Sequence, residues 1–355
     1  MKFDRISLHT YSLPYRQRVT WSDTVEAEAN YVLLRIADDE GRVGYAEATA
    51  KPTWSGYTTR ALVATLQEVF LPLLVQAQGD SPEQLARKLQ LIPGHHQARG
   101  MVESALWMLA HPGAGAGLQV PVSCTLTRQA PGAVAEQACM LRETLGVDCF
   151  KLKGGQGVEA DVEVVRAVRR ALPHAFVYVD ANSAYAPAQL TAYSAALADA
   201  GAAFLEDPCA FTPSGFGAKA QQSHLPLLVD LAATDAGLAA HYAAQGAFAV
   251  SGKPGRYGIP ETLRVTNAAR ETGKGVCIGL FGESDLGSLL NLQVYAALPL
   301  DSVIAPAELS FFVGLREYVL RKPPAIVDGA LRLLDCALDD EAIDFGRMQA
   351  HAISR

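Results

Sequence analysis

The sequence has no C-x-x-C pair, no basic run and no uninterrupted apolar stretch approaching the roughly 18 residues of a membrane span. Each absence removes a class of function. The six cysteines, Cys124, Cys139, Cys149, Cys209, Cys277 and Cys336, are scattered and lack histidines at zinc-site intervals, so they read as small buried hydrophobes. With a formal net charge of -7 and no interleaving of aromatic and basic residues, the chain offers no electrostatic footprint for nucleic acid. Asp4 and Arg5 interrupt what would otherwise pass for a signal sequence, so the expected location is the cytoplasm, without a membrane partner. The pair His95-His96 has no carboxylate nearby in sequence and is given no role.

What is present is apolar bulk: 355 residues, 50% of them hydrophobic, enough for two domains or for one barrel with an addition. From about residue 120 onward, β-rich runs alternate with helical patterns. The strand candidates span 122–126, 149–153, 176–180, 203–206, 226–230, 247–253, 275–280 and 302–305. Their starts lie roughly 21 to 28 residues apart, the length of one strand-turn-helix unit. Eight such units close a TIM-like (β/α)8 barrel. Segments 161–172 and 186–201 have helical character, the second with Pro near its start and Gly at its end, whereas the segment after Pro208 gives at most a short helix.

Residues 1–118 read as a separate α+β domain, with antiparallel strands turning at Asp38 to Gly41 and then helices. The barrel is assigned to 119–325, and 326–355 is expected to return a strand or two to the first domain. Gly113, Gly115 and Gly117 follow a helix and not a strand, which makes them a linker and not a dinucleotide fingerprint.

The site of such a barrel lies at the C-terminal ends of its strands, and charge is concentrated there. Lys151 and Lys153 end the second strand, Asp180 and Asn182 the third, Glu206 and Asp207 the fourth, Asp230 the fifth and Lys253 the sixth, while Glu283 and Glu308 follow the seventh and eighth. Barrel strands are buried on both faces, so these charges need partners. Asp180, Glu206 and Asp230 come from consecutive strands and would repel one another unless a hard divalent cation joined them; Mg2+, with Mn2+ as a substitute, suits an all-oxygen set. Lys153 and Lys253 would flank whatever that cation holds. Lysines beside a metal-bound carboxylate suggest removal of the proton alpha to it through an enediolate, and Lys151, with the cation, would depress the pKa of Lys153.

These residues resemble the enolase superfamily, in its muconate-lactonizing (mandelate racemase/muconate lactonizing enzyme-like) subgroup. The resemblance rests on "KLK" at 151–153, "VDAN" at 179–182, "LEDP" at 205–208, Asp230, "SGKPGRYG" at 251–258, "GESDLG" at 282–287 and "AELSFF" at 307–312, with "GYAEA" and "GMVESALW" in the first domain. It implies that Asp180, Glu206 and Asp230 bind Mg2+, that Lys153 and Lys253 are acid/base groups on opposite faces of a small carboxylic acid, that Lys151 supports them, and that Glu283 is the acidic residue after strand seven. It also implies capping loops, nominated here as Arg16 to Trp21 and Lys51 to Tyr57, with Trp54 and Tyr57 as candidate contacts. Two departures are Asp230-Leu231-Ala232, where Asp-Glu-Ser is usual, and Pro254-Gly255-Arg256 after Lys253, which offers Arg256 to a distal substrate anion. A homo-oligomer is expected.

Taken singly, each carboxylate has a plainer fate. Asp230 would cap a helix near Thr234, Asp207 would face outward or cap, and Glu308 is either a substrate contact or structural. The Gly154 to Gly157 turn lacks the Lys-Ser/Thr of a P-loop and reads as a tight turn. The implied activity is a cycloisomerase or racemase/epimerase, with an o-succinylbenzoate synthase-like dehydratase as runner-up. A Schiff-base aldolase is disfavoured by the three spaced carboxylates, and a non-catalytic barrel by the presence of every proposed site group.

Overall fold

The computed structural model describes residues 2–21, 24–334 and 338–353. Three antiparallel strands, Phe3–Trp21, Thr24–Asp38 and Val43–Thr49, form the first sheet. The middle strand is apolar at successive positions because it is buried on both sides. Val32, Leu34 and Ile36 pack on the domain's own helices through Leu62, Phe70 and Val102, whereas Tyr31 and Leu33 face the core shared with the barrel.

The barrel contains seven parallel strands in chain order: Cys124–Leu126, Cys149–Lys153, Phe176–Asp180, Leu205–Glu206, Leu227–Val229, Ala249–Gly252 and Gly275–Ile278. The eighth expected strand is reduced to single bridges. Val303 pairs with Val276, and Ala307 pairs with Val122, which closes the ring between strands seven and one. The helix after strand four is short, Phe216–Gln222, as the glycines and prolines around it require.

The tail differs from expectation. Strands Ile326–Val327 and Ala330–Arg332 pair with Gln119–Pro121 at the start of the barrel, not with the first sheet. Only later does the chain meet the first domain, through the Ala352–Tyr11 bridge and the Arg35–Asp340 ion pair at 2.6 Å. Among the described residues no helix is long and apolar enough to cross a membrane. Cys124, Cys149, Cys209 and Cys277 are buried free thiols, Cys139 is half-buried, and Cys336 lies outside the described residues.

The two domains meet most closely where helix His96–Ala110 crosses helix Pro254–Glu271. A Cβ on Gly100 would overlap the Tyr257 carbonyl group, and Gly258 opposite breaks the second helix at φ 87°. This contact begins only a few residues beyond Lys253. Gly100→Ala is therefore expected to cost about 1–3 kcal/mol, read as a lowered urea midpoint, because backbone and not a flexible side chain must give way.

Candidate active site

The alternation of barrel strands places residues i and i+2 on one face, and here it produces two layers. Cys149, Tyr178, Phe204, Leu228, Ala249 and Cys277 form an apolar layer, with Ala305 from the closing segment. Two residues further along the same strands come Lys151, Asp180, Glu206, Asp230, Ser251 and Gly279. The charged layer thus rests on a buried, largely apolar floor. A Cβ on Gly279 would fall 2.7 Å from Lys253 Cε, so the glycine makes room for that lysine.

Lys151 is the most buried of the three lysines, about 1% exposed, and its Nζ is 3.0 Å from Asp180 Oδ2, 2.7 Å from Glu206 Oε2 and 3.0 Å from Glu308 Oε1. Asp180 Oδ2 also accepts from Lys153 Nζ at 2.6 Å, so one carboxylate oxygen serves both lysines. Asp180 thus bridges the two ammonium groups that the strand places side by side. Lys151 is itself held firmly protonated, because Asp180, Glu206 and Glu308 outweigh the opposing effect of burial. Lys253 donates to Asp230 Oδ2, and its pKa rises because that carboxylate overcomes burial.

The carboxylates respond unequally. Burial favours the neutral form of Asp180, yet Lys151 and Lys153 outweigh it and hold the group far below its ordinary value. Glu206 is driven well above the carboxylate range, first by burial and then by the charge of Asp180. Its Oε2, though near Lys151, has no aligned hydrogen bond.

Several expectations land elsewhere. Asp207 is buried, not outward: at φ 38° it turns beneath the next strand and accepts from Asp230 N at 3.2 Å and Leu231 N at 2.7 Å. The helix after strand five is capped by Asp235, whose side chain accepts from Leu238 N, and not by Asp230. Glu308 takes the structural alternative, accepting from Lys151, from Tyr178 OH at 2.7 Å and from Leu280 N at 3.2 Å. Glu283 is buried behind the cavity wall, accepting from Phe281 N at 2.8 Å and Asn291 Nδ2 at 3.1 Å. Tyr57 is removed from the cavity; its hydroxyl meets His95, and its ring packs on the first domain's core.

The cavity, of about 200 Å3, brings together Lys151, Lys153, Asn182, Asp230, Lys253 and Arg256 on the barrel side with Trp21, Thr24, Thr53 and Trp54 on the other. Asn182 Oδ1 accepts from Lys153 at 3.1 Å. Arg256 lines the wall, but its guanidinium is tied to Asp230 Oδ1 at 3.2 Å and to the main-chain oxygens of Asp230 and Leu231 at 3.1 and 3.2 Å. Both nominated capping segments therefore supply a tryptophan. Sequence reasoning missed Lys51 and Glu26 as partners: Lys51 Nζ is 2.7 Å from Glu26 Oε2 and lies 4.1 and 4.3 Å from the Trp21 and Trp54 ring centroids. Burial pushes Lys51 down to about 8 against the pull of Glu26.

The loop after strand seven is held from the first domain. Glu47 accepts from Ser284 N at 3.0 Å and from the hydroxyls of Ser284 and Tyr11. Burial raises Glu47 to about 7 from 4.5. The folded state then binds this proton more tightly than the unfolded chain, so its contribution to stability is complete below about pH 4.5 and is lost as pH rises through about 7. The stability advantage of the native protein over Glu47→Gln is expected to shrink by on the order of 3 kcal/mol between pH 4 and pH 8, measured by urea unfolding at each pH.

Among the described residues, no three His, Cys, Asp or Glu side chains already stand together as a metal cage. Lysine ammonium groups occupy the space between the carboxylates instead. The donor set nonetheless fits a hard divalent cation: Asp180, Glu206 and Asp230 offer fully buried carboxylate oxygens at one rim, and Glu206 has an oxygen without an aligned hydrogen bond and an unfavourable charge that a cation would relieve.

Residues 9–123 match the mandelate racemase / muconate lactonizing enzyme N-terminal domain, and residues 133–337 match the enolase C-terminal domain-like family. An N-succinylamino acid racemase from Thermus thermophilus is 30% identical, with 84% of each chain covered. A chloromuconate cycloisomerase from a Pseudomonas species is 26% identical over 84% of this chain and 85% of its own. In fold, a muconate lactonizing enzyme from Pseudomonas fluorescens superimposes with a TM-score of 0.91 over 99% of both chains at 22% identity. Two successive domain matches, a charged rim on a barrel of seven strands closed by single bridges, and a capping sheet above it agree: the chain belongs to the mandelate racemase/muconate lactonizing enzyme family of the enolase superfamily.

Proposed function

We propose that the protein is a divalent-metal-dependent enzyme that removes the proton alpha to a carboxylate of a small acid, forming an enediolate, as a racemase/epimerase or cycloisomerase. The observation that carries this reading is that Lys153 and Lys253, from strands on either side of the carboxylate-bearing ones, line one cavity with Asp230 and Asn182. Family membership and relatives named as a racemase and a cycloisomerase support it, since both reactions pass through an enediolate whose alpha carbon loses or gains a proton.

Asp180, Glu206 and Asp230 are the residues that would hold the metal. When bound, Mg2+ supplies positive charge beside the substrate carboxylate and lowers the cost of the charge that develops there. Lys153 and Lys253 are then the groups that take the proton from one face and return it to the other, which racemisation requires; cycloisomerisation uses one of them with the other as a charge partner. Lys151, surrounded by carboxylates, stays protonated and contributes fixed positive charge. The Tyr257 hydroxyl accepts from Lys253 N at 3.0 Å and donates to Ser251 O at 2.9 Å, which fixes the backbone that carries the lysine.

Titration with Mn2+, followed by electron paramagnetic resonance, tests the metal assignment. One ion per chain is expected to bind, and Asp180→Asn, Glu206→Gln and Asp230→Asn should each weaken it by at least about tenfold. Undiminished binding in all three variants would remove the basis of the proposal.

A further inference from the structure

The cavity has a charged half and an aromatic half, and the two differ in how their cations are committed. Trp21 and Trp54 stand edge to face with centroids 5.0 Å apart, and Phe281 meets Trp54 at 5.4 Å. The cation nearest these rings, Lys51, is about 2% exposed, is not part of the cavity wall, and is paired with Glu26. Glu26 Oε2 also accepts from Trp21 Nε1 at 2.9 Å, so the same carboxylate occupies the indole N–H and the ammonium. Arg256, the other cation available for a distal anion, is bound to Asp230 and to two main-chain carbonyls. Among the described residues, the remaining polar groups lining this half are the neutral hydroxyls of Thr24 and Thr53.

We infer that the acid processed here carries a single carboxylate and a flat, uncharged acyl or aryl group, which the Trp21–Trp54–Phe281 surface and the two threonines receive. The inference rests on the proposed proton abstraction, because that reading sets the reacting carboxylate among Lys153, Lys253 and the metal ligands and so leaves the aromatic half for the distal group. A second carboxylate in the aromatic half would be desolvated beside cations that are already paired: Lys153, 5.9 Å from both indole rings, is held by Asp180 and Asn182, and the carboxylate would have to displace Glu26 from Lys51 or the main-chain carbonyls from Arg256. A planar neutral group loses little on desolvation and gains ring-on-ring contact. Glu26 is thus a specificity-determining residue that acts through Lys51 and Trp21.

Binding of N-benzoylalanine, N-succinylalanine and the neutral distal amide of N-succinylalanine to the Mg2+-supplemented protein, followed by quenching of tryptophan fluorescence, tests this directly. The two ligands with uncharged distal groups are expected to bind about tenfold or more tightly than N-succinylalanine. Glu26→Gln leaves Lys51 without its carboxylate partner, so a distal carboxylate can take Glu26's place beside it, which should bring N-succinylalanine to within about threefold of its amide. Equal or tighter binding of N-succinylalanine by the native protein, or failure of all three ligands to bind, would overturn the inference. Alpha-proton exchange followed on the same ligands keeps the two readings apart. Tight binding of the neutral ligands without exchange counts against the proposed reaction and leaves the distal subsite standing, whereas exchange with preference for N-succinylalanine does the reverse.

Discussion

Lys153→Ala and Lys253→Ala are each expected to lower alpha-proton exchange by roughly 10^2- to 10^4-fold, the range that a positioned acid or base contributes. Both variants should fold, because neither strands a carboxylate. Without Lys153, Asp180 still lies 3.0 Å from Lys151 Nζ, and without Lys253, Asp230 still lies 3.2 Å from Arg256. The loss should fall on kcat more than on substrate affinity, since the removed group acts on the proton in flight. If the two lysines serve opposite faces, each single variant also separates the enantiomers: Lys153→Ala retains exchange only for the one whose proton Lys253 removes. NMR of each enantiomer in D2O reads this, and equal losses for both enantiomers in both variants would speak against the two-face arrangement.

Lys151→Met is expected to have the largest effect on stability, about 3–5 kcal/mol in metal-free protein, measured by urea unfolding. The reason lies in partners. Among the described residues Glu206 and Glu308 have Lys151 as their ion-pair partner, both within 3.0 Å of its ammonium, and both carboxylates are about 1% exposed or less. Removing the lysine leaves Glu308 to the Tyr178 hydroxyl, the Leu280 amide and the Cys277 thiol, and leaves Glu206 with no ion-pair partner among the described residues. Adding Glu308→Gln to Lys151→Met should recover part of the loss, since one uncompensated charge is then absent. A Lys151→Met protein as stable as the native chain would mean that the Lys151 ammonium does not hold these buried carboxyl groups in the fold.

Much of this was legible in the sequence, for a reason that residues 149 to 153 illustrate. Alternation at period two sends Cys149, Lys151 and Lys153 to the barrel interior and Phe150 and Leu152 to the helices, and any strand of the ring obeys the same rule. Spacings of 26, 24 and 23 residues between Asp180, Glu206, Asp230 and Lys253 then assign those side chains to successive strands. What was not legible depends on contacts between distant segments. Asp207 turns inward because it binds amides 23 and 24 residues ahead, Glu308 because Lys151 and Tyr178 lie beneath it, and Tyr57 is drawn off by His95. The eighth strand is nearly absent as a strand because closing the ring takes only the bridges at Val303 and Ala307. Glu26 and Lys51 carried no local pattern; their pairing is created by the first sheet's fold over the barrel mouth.

The central claim is that lysines on either side of a metal held by Asp180, Glu206 and Asp230 remove an alpha proton from a carboxylic acid. The most direct measurement is deuterium incorporation at the alpha carbon of N-acylamino acids in D2O, comparing native protein with Mg2+, the same protein in EDTA, and the Lys153→Ala/Lys253→Ala double variant. The account predicts incorporation with Mg2+, its loss in EDTA with recovery on adding excess Mg2+, and none with the double variant at unchanged circular dichroism. Incorporation that persists in EDTA or in the double variant would contradict it.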